Sequence, residues 1–295
     1  MDDNAARTAE IVVVGAGAAA HRFVARMLED PDRALRITVF GDEGRLPYDR
    51  SVLARIVGGT PASAGELDRA PFRDDRVRLI DDDRVLRIDR GGHRVRTRSH
   101  RWYDYDALVL ATGTHAQRLD VPGIRARGSF VLRAMEDAHM LRAFLAVRAT
   151  EMPRALRAVV VGGDEGGVDA ACALHDAGVQ TTIVDTADRL LPAQLTVPGA
   201  SALRGILEAR GIAVRTRTRV TRVDPDATGA VTAVEFQDGT FARTDLILTT
   251  GARARDELAR NAGLPTRPGG GVLVDADGRT SDPRVLAIGD VAADP

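Results

Sequence analysis

The chain has 295 residues, 44% of them hydrophobic and 28% charged, with a formal net charge of −1. That length suits two domains of roughly 100–200 residues each, and the even charge balance argues against a nucleic-acid or anionic-membrane partner. All 41 basic residues are Arg, which excludes lysine-nucleophile and Schiff-base chemistry, and Cys172 is the only cysteine, which excludes a dithiol pair, an intrachain disulfide and a four-thiolate iron–sulfur cluster.

The start, Met1-Asp2-Asp3-Asn4, is acidic and unlike a secretory leader. No apolar run nears the roughly 18 residues of a membrane span. A reducing, cytoplasmic setting is expected. Along the chain, residues 10–14 read as a buried parallel strand, 18–28 as a helix and 36–40 as the next strand, together one βαβ unit. Residues 76–80, 84–88 and 93–97 read as short strands of a small antiparallel layer. Residues 107–110 form a further buried strand ending in Ala111-Thr112-Gly113-Thr114. After Val121-Pro122-Gly123 the pattern restarts. Helix is expected over 136–147, strand over 159–161, helix over 167–177, strand over 181–184 and helix over 200–209. Strands over 212–214, 219–223, 231–236 and 246–248 follow, the last running into Thr249-Thr250-Gly251, and 265–271 is a loop.

The fold class expected is therefore α/β, with two Rossmann-like three-layer domains, the second inserted in the first. Residues 1–125 and 250–295 make one domain and 126–249 the other. Each domain opens on a glycine turn between an apolar strand and a helix. The first, Gly15-Ala16-Gly17-Ala18-Ala19-Ala20, fits the dinucleotide fingerprint with Ala20 in the third place. Gly15 makes the tight turn, Gly17 lets backbone approach a pyrophosphate at the helix N-terminus, and Ala20 permits close helix–strand packing. Asp42, at the end of the next strand, suits an adenosine ribose, or it is a solvated turn residue. Two such turns point to two dinucleotides and to electron transfer between them.

With Val39-Phe40-Gly41-Asp42-Glu43, Leu46-Pro47-Tyr48-Asp49-Arg50, Tyr105-Asp106-Ala107-Leu108-Val109-Leu110-Ala111-Thr112-Gly113-Thr114 and Asp282-Pro283-Arg284-Val285-Leu286-Ala287-Ile288-Gly289-Asp290, the chain resembles two-dinucleotide flavoproteins. It is similar to the disulfide-free, ferredoxin-reductase-like branch of the pyridine nucleotide–disulfide oxidoreductase fold, most of all to the N-terminal flavin domain of NADH–nitrite reductase large subunits. The resemblance implies FAD and NADH as cofactors. It gives Asp42 the FAD ribose, Arg50 and Arg55 places beside the flavin pyrophosphate and ring, and Val85 a backbone position facing adenine. Ala111, Thr112 and Gly113 match the turn against the FAD phosphates, and Asp290, after Gly289, matches the acid on the ribityl chain. Asp169 matches the acidic partner of the basic residue near flavin N5, so Arg55 and Asp169 are the candidate catalytic pair. His21 and Arg22 fit this branch, or are polar residues on a helix face. Trp102, Tyr103 and Tyr105 read as strand packing.

The second turn departs from the pattern. In Val161-Gly162-Gly163-Asp164-Glu165-Gly166-Gly167 the fingerprint positions are Gly162, Asp164 and Gly167. A carboxylate about 4 Å from a phosphate charge repels it by roughly 4 kcal/mol at an effective dielectric near 20, close to three decades of affinity. Asp185 ends the next strand and suits a ribose 2′-hydroxyl, favouring NAD over NADP, with Arg189 nearby. The resemblance also implies a helix and an interface domain beyond the Gly-Asp motif. Here only Val291-Ala292-Ala293-Asp294-Pro295 follows, so an open flavin face is expected, in a piece of a longer polypeptide or in a shortened protein. The siroheme and iron–sulfur modules needed for nitrite are not in these residues. The expected function is hydride transfer from NADH to FAD and electron delivery to a separate acceptor protein or domain. The alternatives are a degenerate flavin-binding module acting through a partner, and an oxidase whose uncovered flavin meets oxygen.

Overall fold

Residues 8–294 are described by the computed structural model; the acidic start and Pro295 lie outside them. The chain folds as two units: one takes residues up to Asp49, Glu66–His115 and Arg253 onward, and the other takes Arg50–Gly65 and Ala116–Ala252.

In the first unit, β1 (Ala9–Val14) leads into α1 (Ala18–Met27) and back to β2 (Leu35–Phe40). The Ala-rich start of α1 suits a helix, and Ala20 and Val24, one turn apart, form its buried stripe. β3 (Val77–Ile80), β7 (Ala107–Leu110) and a late strand, Val285–Ala287, complete a five-stranded sheet in which every neighbouring pair is parallel. Its two faces follow the period-2 alternation of strand side chains. Ile11, Val13, Ile37, Val39 and Val109 face Ala20 and Val24 of α1. Val12, Val14, Phe40, Leu108 and Leu110 face a three-stranded antiparallel layer, contributing with Val85, Ile88 and Val95 to one core. That layer is β4 (Val85–Asp89), β5 (Arg94–Thr97) and β6 (Trp102–Asp104).

One expectation is corrected here. Residues 76–80 were expected in the antiparallel layer, but β3 pairs in parallel with β2 at the edge of the main sheet. Its Val77 and Leu79 pack on the α1 side of that sheet, and β6 supplies the layer's third strand. Tyr103 of β6 meets Phe40 edge-on with centroids 4.8 Å apart, while Trp102 stays 39% exposed under the Arg94 guanidinium.

The second unit repeats the plan. Its parallel sheet runs Ala213–Arg215, Gln180–Val184, Arg157–Val161, Leu246–Thr249, Ser129–Val131. An antiparallel layer of Val220–Pro225, Val231–Phe236 and Phe241–Arg243 packs on one face. The segment Arg50–Gly65 belongs to this unit and not to the first, where the sequence boundaries had put it. Its short helix α2 (Leu53–Val57) packs on α3 (Met135–Glu151) and α4 (Glu165–Asp176). A Cβ at Gly58, just past α2, would lie 3.6 Å from the Ala173 carbonyl of α4.

The repeat extends to a small polar device. Asp106, just before β7, accepts the Glu10 amide of β1 at 3.0 Å. Asp245, just before Leu246–Thr249, accepts the Arg157 amide at 2.8 Å and a two-pronged bond from Arg154 at 2.8 Å on each oxygen. In each unit a carboxylate thus ties the start of the central strand to its neighbour. Burial alone pushes the Asp245 carboxyl up, but the bonds from Arg154 and the Arg157 amide outweigh it and hold it below the ordinary value. A depressed folded-state pKa stabilises the fold above the ordinary carboxylate range and loses that contribution as pH falls through the depressed value. Asp245→Ala leaves the half-buried Arg157 amide and the Arg154 guanidinium without their acceptor and is expected to cost about 2 kcal/mol, read as a lower denaturant midpoint with unchanged slope. The variant's stability is expected to fall less than the parent's as pH is lowered from 5 to 3.

Candidate functional site

In the first unit the glycine turn is built as the fingerprint requires. Gly15 has φ +109°, and a side chain there would fall on the Ala111 carbonyl, so only glycine takes the position. Its amide donates to the Phe40 carbonyl at 2.8 Å, closing the turn onto β2. Gly17 is the N-cap of α1, carries no side-chain cap, and a Cβ on it would meet nothing within 4 Å. The positive end of α1 therefore faces open space. Ala20 is fully buried under the helix. Gly289, with φ +70°, comes against the same first turn, since its Cβ would stand 2.7 Å from that of Ala19. Asp290 follows it in a single 3₁₀ turn, Gly289–Val291.

Asp42 lies past the end of β2, and Arg255 Nη1 donates to its Oδ2 at 3.2 Å. The backbone of Arg255 is itself strapped to the Ala111-Thr112-Gly113 turn: Thr112 Oγ1 donates to the Arg255 carbonyl at 2.8 Å, and the Arg255 amide donates to the Gly113 carbonyl at 2.9 Å. Arg255 thus joins two of the predicted site segments, yet sequence reasoning passed over it. The only signal available was its place four residues after the Thr-Gly turn at 250–251. Val85 is buried in the core between the sheet and the antiparallel layer. His21 contacts the Asp68 carbonyl at 2.7 Å through Nε2.

In the second unit the outer positions of the glycine turn hold and the middle one does not. Gly162 has φ +128°, and a Cβ there would strike Thr250 Oγ1. A Cβ on Gly167 would fall on the Gly162 carbonyl, so α4 lies too close to its strand for any side chain at that position, where α1 carries Ala20. Between them Asp164 is the N-cap of α4, and its Oδ1 accepts the Gly167 amide at 2.8 Å. Thr250 Oγ1 lies 3.4 Å from the same oxygen. Asp185 accepts the Gly163 amide on Oδ2 and the Ala187 amide on Oδ1, the latter at 2.6 Å. Arg189 is pinned by Asp188 at 3.0 Å and by the Pro192 carbonyl at 3.2 Å.

The second unit also contains Arg50, Arg55 and Asp169. Arg50 Nη1 donates to the Arg133 carbonyl at 2.7 Å. Arg55 is exposed on α2, and Asp169 is exposed on α4. Although residue 169 faces solvent, its carboxyl loses enough water, with Glu165 one turn earlier, to be pushed above its ordinary pKa, and Arg55 opposes the rise. Cys172, one turn further along α4, is half-buried, and burial pushes its thiol up, the opposite of what a reactive thiolate needs. Among the described residues no group of His, Cys, Asp and Glu side chains is placed to hold a metal ion, and no helix is long and apolar enough to cross a membrane.

Residues 9–295 match the pyridine nucleotide–disulphide oxidoreductase family, and the chain belongs to it. It is 31% identical over 286 residues to the nitrite reductase (NADH) large subunit of Escherichia coli K12, covering 96% of this chain and 33% of that protein. It is 35% identical over 288 residues to the ferredoxin–NAD(+) reductase component of the biphenyl dioxygenase system of Paraburkholderia xenovorans LB400, covering 97% and 68%. A solved ferredoxin reductase from Rhodopseudomonas palustris superposes with a TM-score of 0.86 at 30% identity, covering 97% of this chain and 69% of that one. The chain spans about a third of the length of the nitrite reductase large subunits it matches.

The open, uncapped α1 terminus and the forced Gly15 turn fit a dinucleotide pyrophosphate. Gly15→Ala is expected to cost about 1–3 kcal/mol, from the positive φ and the blocked Ala111 carbonyl. Gly17→Ala meets open space and is expected to change stability by no more than about 1 kcal/mol, while weakening dinucleotide binding. Urea midpoints and a cofactor titration on both variants check the contrast.

Proposed function

We propose that this chain is a FAD-dependent NAD(P)H oxidoreductase module that delivers electrons to a separate acceptor protein. The observation that carries the reading is the α1 terminus, open and without a side-chain cap, with Asp42 beyond the adjoining strand. A helix N-terminus of this kind suits a diphosphate, because its amides and dipole both favour negative charge. The ferredoxin–NAD(+) reductase and nitrite reductase names of the relatives support the activity and the kind of acceptor, a small iron–sulfur protein or a fused redox domain. A cytoplasmic setting accords with the lone cysteine.

Gly15, Gly17 and Ala20 would hold the FAD pyrophosphate, and Asp42 the ribose, with Arg255 orienting its carboxylate. Ala111, Thr112 and Gly113 line the turn against the phosphates, and Gly289 and Asp290 close the far side against α1. When bound, FAD accepts a hydride and releases electrons singly, and this chemistry belongs to the cofactor. Arg50, Arg55, Val85 and Asp169 keep, as part of the proposal, the roles the resemblance gives them: phosphate and ring contacts, the adenine-facing backbone, and a charged pair that polarises the flavin. Arg55 is a permanently charged, planar donor.

For the nicotinamide nucleotide the fit is partial. Gly162, Gly167 and Asp185 suit it, and Asp185 with Arg189 pinned elsewhere favours NAD over NADP. The middle of the cradle is filled by Asp164. That observation favours a second reading, a flavin-binding module that acts through a protein partner without NADH turnover. The two part in one experiment. The purified protein is expected to show flavin absorbance, to bleach with NADH under argon, and to recover colour on adding a ferredoxin-type acceptor. Colour that NADH does not bleach selects the second reading, and a protein that takes up no FAD contradicts both. Asp42→Ala is expected to weaken FAD binding about tenfold, near 1.4 kcal/mol, through loss of hydrogen bonds to a charged acceptor.

A further inference from the structure

Every α-helix begins with amides that have no partner inside the helix. The two glycine-turn helices of this chain solve that requirement differently. α1 starts at Gly17, without a side-chain cap, without an acidic residue in its first turn and with no atom within 4 Å of where a Cβ would stand. α4 starts at Asp164, whose Oδ1 takes the Gly167 amide at 2.8 Å, and Glu165 adds a second acid in the first turn. The hydroxyl of Thr250 lies 3.4 Å from the same oxygen and 3.3 Å from the Val161 carbonyl. Gly166 and Gly162 would each place a Cβ 3.7 Å from that oxygen, so the carboxylate occupies the centre of the turn.

Resting on the reading of this unit as a nicotinamide nucleotide domain, we propose that Asp164 is a built-in competitor for the dinucleotide pyrophosphate. The carboxylate stands where the diphosphate would find its amides, and it brings a charge of the same sign. For NAD(H) to bind in the usual cradle, Asp164 must turn away. That forfeits the cap, worth roughly a factor of five in equilibrium, and still leaves an anion beside the phosphates. The unit therefore recognises the nucleoside part through Asp185 and resists the diphosphate part. Substitution at one position, and not the loss of the domain, sets how readily the module accepts its reductant.

Two variants separate occupancy from charge. Glycine at an N-cap costs only a few tenths of a kcal/mol relative to Asp, and Asn caps as well as Asp does, so both are expected to fold. Calorimetric titration of FAD-loaded protein with NAD⁺ is expected to show at least tenfold tighter binding for Asp164→Gly than for the parent. Adenosine, which has the ribose but no phosphate, is expected to bind both within about twofold. Asp164→Asn keeps the cap and loses the charge, and is expected to gain less than Asp164→Gly. Equal NAD⁺ affinity in the parent and Asp164→Gly, with melting temperatures unchanged, would overturn the inference. So would an Asp164→Asn gain as large as that of Asp164→Gly, since the effect would then be charge alone. If neither NAD⁺ nor adenosine binds any of the three proteins, the nucleotide-domain reading fails and takes the inference with it. Retention of FAD in the same samples reports on the first unit independently.

Discussion

The unmet amides at a helix N-terminus are the constraint on which the rest of this structure turns. A strand that runs directly into a helix through a glycine turn brings those amides to the end of a parallel sheet, where they must find an acceptor. In α1 the chain supplies none from its own side chains. Gly15 bends the backbone past the Ala111 carbonyl, and Gly17 keeps the space above the turn clear. In α4 the same architecture supplies Asp164. Two similar scaffolds thus differ in whether a side chain caps the helix: none does at α1, and Asp164 does at α4.

The surrounding structure holds these termini in place. Each unit sandwiches its parallel sheet between a helix and an antiparallel layer, and a fully buried side chain such as Val24 contributes about 1.5–3 kcal/mol to fixing the helix on the strands. Asp106 and Asp245 then pin the starts of the central strands by accepting the amides of Glu10, the second residue of β1, and of Arg157, the first of its strand. Arg255 adds a cross-tie peculiar to the first unit. Its backbone anchors the turn after β7 while its guanidinium reaches Asp42, so that Asp42 and the Ala111-Thr112-Gly113 turn are tied together.

Much of this was legible in the amino-acid order. The Val- and Ile-rich runs gave the parallel strands, and Gly15, Gly17 and Ala20 announced the turn, because both signals are local. What escaped depends on contacts far apart in the chain. The five-residue helix α2 is too short to show a period, and its allegiance to α4 rests on the close approach of Gly58 to Ala173. Residues 76–80 carry strand character, but nothing in them says whether they pair in parallel with β2 or antiparallel with β4. Arg255 and Asp42 lie 213 positions apart. Asp164 is the instructive case. Its charge was read as repulsion toward a phosphate, whereas an Asp immediately before a helix is first of all a cap. The fingerprint spacing marks the missing glycine but carries no sign of the cap that Asp supplies there.

The family match places the chain among the pyridine nucleotide–disulphide oxidoreductases, and within the chain α1 and α4 differ in how their first amides are met. The most direct test of the contrast is a crystal structure grown with saturating FAD and NAD⁺. The FAD diphosphate is expected against the first turn of α1, and Asp164 bonded to the Gly167 amide wherever no diphosphate sits on α4 and released from it wherever one does. A diphosphate seated on α4 with Asp164 still capping the Gly167 amide, or an α1 terminus closed over and empty of cofactor, would contradict it.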